Sequence, residues 1–444
     1  MADRHNRVLI IVQNLPVPLD RRVWMECGAL RRAGVGVSVI CPKGPGDPWY
    51  EEIDDVRIYK YPPPPAARGL IGYVWEFVYC WFVTALLSLV VAARDGFKAI
   101  QACNPPDTYW ALALLWRPFG KKFLYDQHDL NPEVFLSRFG EPSGLAGRIQ
   151  LSGIRWLETM TYRFAHHVVS TNESYRRIAL GRGKRSPEDV TVVRSGPDTN
   201  KMRPVYPLPE LRGGRKHLAV YLGVMGPQDG VDQALRAFGE LVHSRGRNDC
   251  HFALLGFGDC LEDLKKLAHD LDLDDYVTFT GRVGPSKIAD FLSTADLGIC
   301  PDPKSPLNDV STMNKTMEYM AYCLPVVSFD LAETRVSGGE AAIYVESGDV
   351  EAFAKAWDEL LSDPADRERR GRYARHRVVS ELDWAPQAQR YIQAWSTVLA
   401  RPLALPDLPS SSIVPSEDDR GRPYVDLTND AELGKFIRDR ALAG

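Results

Sequence analysis

The sequence predicts an α/β protein of two Rossmann-like domains, each built on a doubly wound parallel sheet, and three observations carry that expectation. Short runs rich in Val, Ile and Leu alternate with helix-length amphipathic segments along almost the whole chain, which is the pattern of β-α-β units. At 444 residues, 45% hydrophobic and 25% charged, the chain has material for two cores. Between the two alternating series lies a Pro-, Gly- and Arg-rich stretch, residues 200–214, without periodicity. The domains are therefore expected at residues 1–205 and 206–400, with the last helix a candidate to pack back on the first domain. Residues 401–444 remain as a Pro/Ser-rich and charged tail.

Residues 7–13 read as the first strand, because the apolar run 8–12 is too short for a signal-peptide core. A helix over 23–33 follows the loop NLPVPLDRR, and strands follow at 35–41 and 56–61. The prolines at 62–65 make a stiff loop. Residues 70–93 are long, aromatic and carry Glu76 as their one charge. Length alone permits a membrane span, but the segment falls where a β-α chain needs a crossover helix. A largely buried helix is expected, and a helix with one face at a membrane surface is the other reading. Strands at 99–103, 122–126, 167–170 and 190–194 then alternate with helices at 107–116, 148–164 and 173–180. The second series has strands at 218–222, 252–255, 277–280, 297–300, 326–329 and 342–345. Its helices are expected at 229–243, 260–269, 286–294, 350–361, 365–379 and 385–400, together with one that carries Ser311 to Ala321. A tail helix over 429–442 has no assigned role.

With a formal charge of −4, the totals show no basic surface large enough to predict nucleic-acid binding. Eight cysteines are scattered without a CxxC pair, which suits buried, reduced thiols in the cytoplasm.

Chemistry is expected beyond the C-terminal ends of the strands. The stretch SPLNDVSTMNKTMEYMAYCLPVVSFD, residues 305–330, reads as loop, helix, turn and strand. Ser311, Asn314, Lys315 and Glu318 fall on one helix face, and apolar residues on the other. Backbone N–H groups after residues 310–312, Thr312 included, suit an anion, with Lys315 adding a full charge. Diphosphate is the natural guest, and Glu318 can accept hydrogen bonds from a ribose diol. In GVMGPQDG, Gly223 and Gly226 permit close backbone approach to a phosphate, against a plain strand-to-helix turn. In the first domain, YDQHDLNPE places His128 between Asp126 and Asp129, which can orient a hydroxyl or move a proton, against a capped loop. Asp272 and Asp274 form a DxD pattern that reads as a solvated turn.

The segment NDVSTMNKTMEYMAYCLPVVSFDLAETR, with PVPLDRRVWMECGALRRAGVGVSVIC, YDQHDLNPE and RSGPD, resembles the GT-B retaining glycosyltransferases of the family 4 type, glycosyltransferase group 1. The resemblance spans residues 7–400. It implies a GT-B fold, two Rossmann-like domains facing an interdomain cleft, with a nucleotide-sugar donor in the second domain and a sugar or lipid-linked acceptor in the first. By resemblance, Glu318 binds the donor ribose and His128 sits near the transferred sugar. Three departures stand out. Where the family has a second glutamate, eight residues before Glu318, this chain has Val310, and Asp309 is its candidate replacement beside the catalytic candidates His128 and Lys315. The family's phosphate-binding arginine and lysine align with Val224 and Asp229, leaving Lys315, Arg194, Arg282 and Arg335 as substitutes. The first-domain loop lacks the family's paired glycines and offers Asp20 and Arg21. The function implied is retaining transfer of a sugar from a UDP-linked donor in polysaccharide or natural-product biosynthesis, with no cofactor and no metal required. A nucleotide-sugar epimerase and a non-catalytic sugar-nucleotide-binding protein are the rivals. The 70–93 helix leaves peripheral contact with the inner membrane surface open.

Overall fold

A computed structural model describes residues 6–64, 69–405 and 416–440. The chain forms two compact units, Met1–Ser195 with Ala385–Leu408, and Gly196–Trp384 with Pro409–Gly444. The crossing from one to the other thus falls just before the 200–214 stretch.

In chain order the first unit contains β1 (Arg7–Ile11), α1 (Arg21–Arg32), β2 (Gly36–Pro42), β3 (Tyr50–Ile53), β4 (Val56–Tyr61) and α2 (Gly69–Arg94). It continues with β5 (Ala99–Cys103), α3 (Trp110–Trp116), β6 (Lys122–Gln127), α4 (Asn131–Phe139), α5 (Leu145–Phe164), β7 (His167–Ser170), α6 (Glu173–Gly181) and β8 (Val190–Val192). The eight strands lie in the order β3-β4-β2-β1-β5-β6-β7-β8. All pairs are parallel except β3 with β4. That antiparallel edge strand, YEEI, was not expected, because an edge strand half in water carries a weak apolar signal. Right-handed crossovers put α2, α3, α5 and α6 on one face of the sheet and α1 on the other.

The expectation that 70–93 forms a largely buried helix is corrected. α2 buries only a stripe, Cys80, Thr84, Ser88 and Val91, against the sheet and α3. Trp116 Nε1 donates to Ser88 Oγ at 3.0 Å, and Thr84 and Tyr109 hydroxyls meet at 3.4 Å. Its other side, from Val74 to Val90, stands exposed although it is equally apolar. A helix laid on one layer of sheet can bury one face only, so an all-round apolar helix must leave the rest uncovered.

The second unit contains β9 (His217–Leu222), α7 (Val231–Gly239), β10 (Cys250–Leu255), α8 (Leu261–Asp270), β11 (Val277–Gly281), α9 (Pro285–Thr294), β12 (Leu297–Cys300) and α10 (Asn314–Ala321). Then come β13 (Val326–Phe329), α11 (Ala332–Gly338), β14 (Ala342–Val345), α12 (Val350–Ser362), α13 (Pro364–Arg377), α14 (Trp384–Leu399), which passes into the first unit, and α15 (Asp430–Asp439). Six strands run parallel in the order β11-β10-β9-β12-β13-β14. Strand order reverses between β9 and β12, which makes their C-terminal ends the switch point where ligands bind in such sheets. The core on one face stacks Phe238 on Trp357 at 5.3 Å, with Phe252 edge-on to Trp357 and tilted against Phe238.

Two contacts seat α10 on this sheet. Gly298 in β12 has no side chain, and a Cβ there would strike the Tyr319 ring. The Tyr319 hydroxyl accepts from Leu222 N–H at 2.8 Å and donates to Ile299 O at 3.2 Å, pinning the helix to the ends of β9 and β12. The donor-side helix also begins later than expected. Asn308–Val310 is a 3-10 turn and α10 starts at Asn314, so Lys315 stands in its first turn and not one turn on.

The described tail from residue 416 onward is part of the second unit. Arg440, 1% exposed, donates to Ala295 O at 3.0 Å and to Tyr322 O, while Val425, Phe436 and Ile437 cluster on Cys323 behind α10. Arg420 and Arg422 pair with Asp290. All eight cysteines are free and seven are buried, as expected of core thiols. The tail's 406–415 stretch and residues 441–442 of the expected tail helix lie outside the described residues. Arg440→Ala removes a buried donor set and its packing, and should lower unfolding free energy by about 2–4 kcal/mol in urea titrations.

Candidate functional site

The second unit holds a cavity of about 410 Å³ at the switch point. The ends of β9 and β10 supply Leu222, Gly223, Val224, Leu255, Gly256 and Phe257; α10 and the loop before it supply Thr312, Asn314, Lys315 and Glu318; Asp229, Arg282, Val283 and Ile288 complete the wall. The two glycine loops touch: a Cβ on Gly256 would run into the carbonyl of Gly223, and one on Gly223 would lie 3.3 Å from Lys315 Cε. Both glycines are therefore there for close approach.

Lys315 is the charged centre of this wall. Its Nζ lies 2.7 Å from Asp302 Oδ1, with the lysine side chain 10% exposed and the aspartate 2%. It also stands over the Tyr221 ring, 4.9 Å from the centroid. Burial works against the ammonium charge, but Asp302 and its neighbours outweigh it and hold the Lys315 pKa well above the ordinary value. Asp229 folds back so that Gly226 N–H donates to its Oδ2 at 2.9 Å, closing a one-turn cap. Burial raises the Asp229 pKa, while Lys315 pulls it back. Arg282 lies over the Phe257 ring at 5.3 Å. The cavity wall thus pairs two cations, Lys315 and Arg282, with two carboxylates, Asp229 and Glu318, across an apolar floor.

Of the expected donor-side residues, Gly223, Thr312, Asn314, Lys315, Glu318 and Arg282 line this cavity, and Gly226 forms the adjoining turn. Others stand elsewhere. Asp309 Oδ1 accepts from Ala332 N–H at 2.9 Å, where it caps α11. Ser311 Oγ donates to Leu307 O at 2.8 Å. Arg335 is exposed, bidentate with Asp330 and stacked on Tyr344. Arg194 is in the first unit, where its N–H donates to Gln387 Oε1 at 3.1 Å.

A second cluster is buried in the first unit. Arg22 NH2 donates to Asp126 Oδ1 at 3.0 Å, its NH1 to Val193 O and Ser195 Oγ, both at 2.9 Å, and its Nε faces Glu26 Oε1 at 3.1 Å. Gln101 Nε2 donates to Glu26 at 2.7 Å and Asp126 at 3.0 Å, and the Tyr391 hydroxyl of α14 donates to Gln101 Oε1 at 2.5 Å. His128 Nε2 lies 2.7 Å from Asp126 Oδ2. Burial works against the imidazolium, but the charge and hydrogen bond of Asp126 outweigh it and raise the His128 pKa. Arg22 Nε also lies 3.1 Å from His128 Nε2, so that ring nitrogen stands between the guanidinium and Asp126. Burial also opposes the Asp126 charge, yet Arg22 and His128 hold its carboxyl below the usual range. Glu26, desolvated beside Asp126, has its pKa pushed up. Asp129 flanks the cluster with its own pKa raised by burial, and its N–H and carbonyl are held by Asn104. Asp20 accepts from Val23 N–H at 3.1 Å as the cap of α1, and Arg21 beside it is exposed.

Glu26, Cys103, Asp126 and His128 offer metal-ligand atoms within 4.8 Å of one another. The donor set does not suit a cation. Arg22 already pairs with both carboxylates, and burial holds the Cys103 thiol well above its usual pKa, so it stays protonated.

Sequence reasoning missed Asp302, Arg22, Glu26 and Tyr391. Asp302 had a signal, since it follows β12 at the C-terminal edge of the sheet. Arg22 and Glu26 are four apart on one helix face, which is a pairing distance. Nothing in the sequence linked Tyr391 to strand β5.

Two family models match the chain: a glycosyl transferase 4-like domain over residues 19–196 and the glycosyl transferases group 1 over residues 216–363. A GDP-mannose-dependent alpha-(1-6)-phosphatidylinositol monomannoside mannosyltransferase from Mycolicibacterium smegmatis is 29% identical over 218 residues, 47% of this chain and 55% of that protein. An alpha-D-kanosaminyltransferase from Streptomyces kanamyceticus is 31% identical over 154 residues, 34% of this chain and 38% of that protein. The chain thus spans about half the length or less of these relatives. Among solved structures, a sucrose-phosphate synthase from Thermosynechococcus elongatus superposes with a TM-score of 0.71 at 18% identity, covering 89% of this chain and 99% of that one. HepE from Anabaena, in complex with UDP and glucose, gives 0.65 at 13% identity, covering 88% and 100%. These two share the GT-B architecture of two parallel-sheet domains.

Asp302→Asn strands a buried ammonium and should cost about 3 kcal/mol of stability in urea unfolding, the penalty typical of a broken buried pair. His128 titrated by NMR should show a midpoint above the ordinary value of about 6.5, falling to that value or below in Asp126→Asn. Because the folded pKa is raised, the imidazolium contributes its full stability below pH ~6.5 and loses it as pH rises through the folded pKa.

Proposed function

The chain belongs to the group 1 glycosyltransferases of the GT-B fold, and on that premise we propose that it transfers a sugar from a nucleoside diphosphate donor, UDP-linked, to an acceptor hydroxyl with retention at the anomeric carbon. The carrying observation is the switch-point cavity, with Lys315 at the first turn of α10 and Glu318 one turn on. Its volume and mix of apolar floor and few polar groups suit a nucleotide sugar. Glu318 accepts from the ribose diol. Lys315, Arg282 and backbone N–H groups of the glycine loops and of α10 take the diphosphate. As the bond from the anomeric carbon to the phosphate oxygen breaks, charge grows on that oxygen, and fixed cations stabilise it more than they stabilise the bound donor. The sugar passes through an oxocarbenium-like state, and the acceptor oxygen bonds to the same carbon on the face the diphosphate leaves, while its proton passes to the leaving phosphate oxygen. The first unit takes the acceptor, and Asp126 holds the His128 ring in place there. The reading needs no metal.

The relatives matched are named as transferases and synthases, which favours transfer over epimerisation or binding alone. Since one relative is named as GDP-mannose-dependent, GDP sugars are the donors to compare with UDP sugars. The acceptor class proposed is a lipid-linked glycan or a natural product. In assays of nucleotide release with a sugar acceptor panel, Glu318→Gln should lower kcat/KM by roughly tenfold to a hundredfold and Lys315→Ala by about a hundredfold or more. Undiminished rates in both variants would overturn the assignment of the donor site.

A further inference from the structure

The helices on one face of the first unit's sheet leave an apolar surface that the core does not cover. α2 turns Val74, Trp75, Val78, Phe82, Leu86 and Leu89 outward, each at least 52% exposed. At 1.5 Å per residue this row is roughly 22 Å long. Beside it lies α3, and a cavity of about 630 Å³ between them is walled by Phe82, Leu86 and Leu89 on one side and Leu115, Trp116 and Phe119 on the other. Leu115 and Phe119 are themselves exposed. On the far side of α3, Trp110 meets Trp156 of α5 edge-on at 5.7 Å, so the three helices form one continuous layer. Single exposed apolar residues are ordinary, but a contiguous patch this long marks an interaction surface.

Charge narrows the partner. The exposed side of α5 carries Arg148, Arg155 and Arg163 with Ile149 and Trp156, and between Leu145 and Phe164 it exposes no carboxylate. The one acid in that helix facing inward, Glu158, is buried and paired with Arg182. A chain of net charge −4 therefore presents a basic and aromatic flank beside an apolar row. Arginine and tryptophan beside exposed aliphatic groups are the chemistry of a bilayer interface, where stems and rings enter the headgroup layer and the guanidinium meets phosphate. We propose that this face of α2, α3 and α5 rests on an anionic phospholipid surface. α2 lies in the plane of the surface. It does not span, because its second stripe, Cys80, Thr84, Ser88 and Val91, is packed into the unit's own core. A second copy of the chain fits less well, since the same face of that copy brings no carboxylate from α5 to meet the three arginines. The inference stands on this surface alone and does not depend on the donor site.

The test is co-sedimentation of the full chain with vesicles of phosphatidylcholine alone and of phosphatidylcholine mixed with phosphatidylglycerol, across a salt series. The chain should bind the mixed vesicles, more weakly as salt rises, and bind phosphatidylcholine far less. The double variant Phe82→Glu with Leu86→Glu should weaken binding at least roughly tenfold. The triple variant Arg148→Gln, Arg155→Gln, Arg163→Gln should weaken it by roughly fivefold per arginine and flatten the salt dependence. All five positions are exposed except for their stems, so thermal unfolding should stay at the wild-type value, and if the glutamate variant fails to fold the arginine variant carries the test. Wild-type protein that stays in the supernatant with both vesicles overturns the proposal, as do variants that bind like the wild type. Light scattering that shows a wild-type dimer dissolved by Phe82→Glu with Leu86→Glu, with no vesicle binding, assigns the face to a second copy instead.

Discussion

The buried ion pair of Lys315 and Asp302 is the constraint on which the site depends. A lone ammonium at this depth would lose its proton or unfold its surroundings, because desolvating a charge costs several kcal/mol. Asp302 lets it remain charged, 2.7 Å away at the end of β12. That distance fixes α10 against the sheet at the same time as it fixes the cation against the cavity. Tyr319 and Gly298 provide the second anchor, by hydrogen bonding to β9 and β12 and by leaving room for the ring. Asp302 and the Tyr221 ring thereby pin the flexible stem that makes surface lysines poor positioning groups.

The same logic runs through the first unit with the opposite emphasis. There the arginine, Arg22, is the hub, and its fork reaches two carboxylates, a backbone carbonyl and a hydroxyl. Two buried acids and one buried guanidinium cannot all carry full charge without a further cation. Its neighbours push Glu26 toward the neutral form and His128 toward the charged form, so the imidazole belongs to the network and is not an isolated residue. α14 reaches this network through Tyr391 and Gln101, which ties the last segment of the first unit to its strand β5.

Most of the fold was legible because the strands are uniform apolar runs and the helices between them are amphipathic. β1, β2, β5 and β7 are buried at every position, and that leaves little room for another period. What escaped followed from half-exposure or from distance. β3 is an edge strand with two glutamates in four residues. α2 is apolar all round, and only the presence of one neighbouring layer instead of two decides that its outer side is bare. The tail packs through Arg440 and a few apolar residues, a sparse signal in a charged sequence. In the site, Lys315 and Glu318 were legible from helix spacing, while Asp302 lies thirteen positions before Lys315 and meets it only through the turn of the chain. Asp309 stood one step from the family's second glutamate position and Arg335 was a spare cation, and here they form a helix cap and a surface ion pair.

The central claim is that the cavity holds a diphosphate through Lys315, although Val224 and Asp229 occupy positions where cations were expected. Calorimetric titration of the unmodified protein with uridine, UMP and UDP, and with the guanosine series alongside, tests it most directly. The account predicts affinity that rises with each phosphate, by roughly tenfold or more from nucleoside to diphosphate in the preferred series, and that weakens with salt. Equal affinity for nucleoside and diphosphate in both series would contradict it.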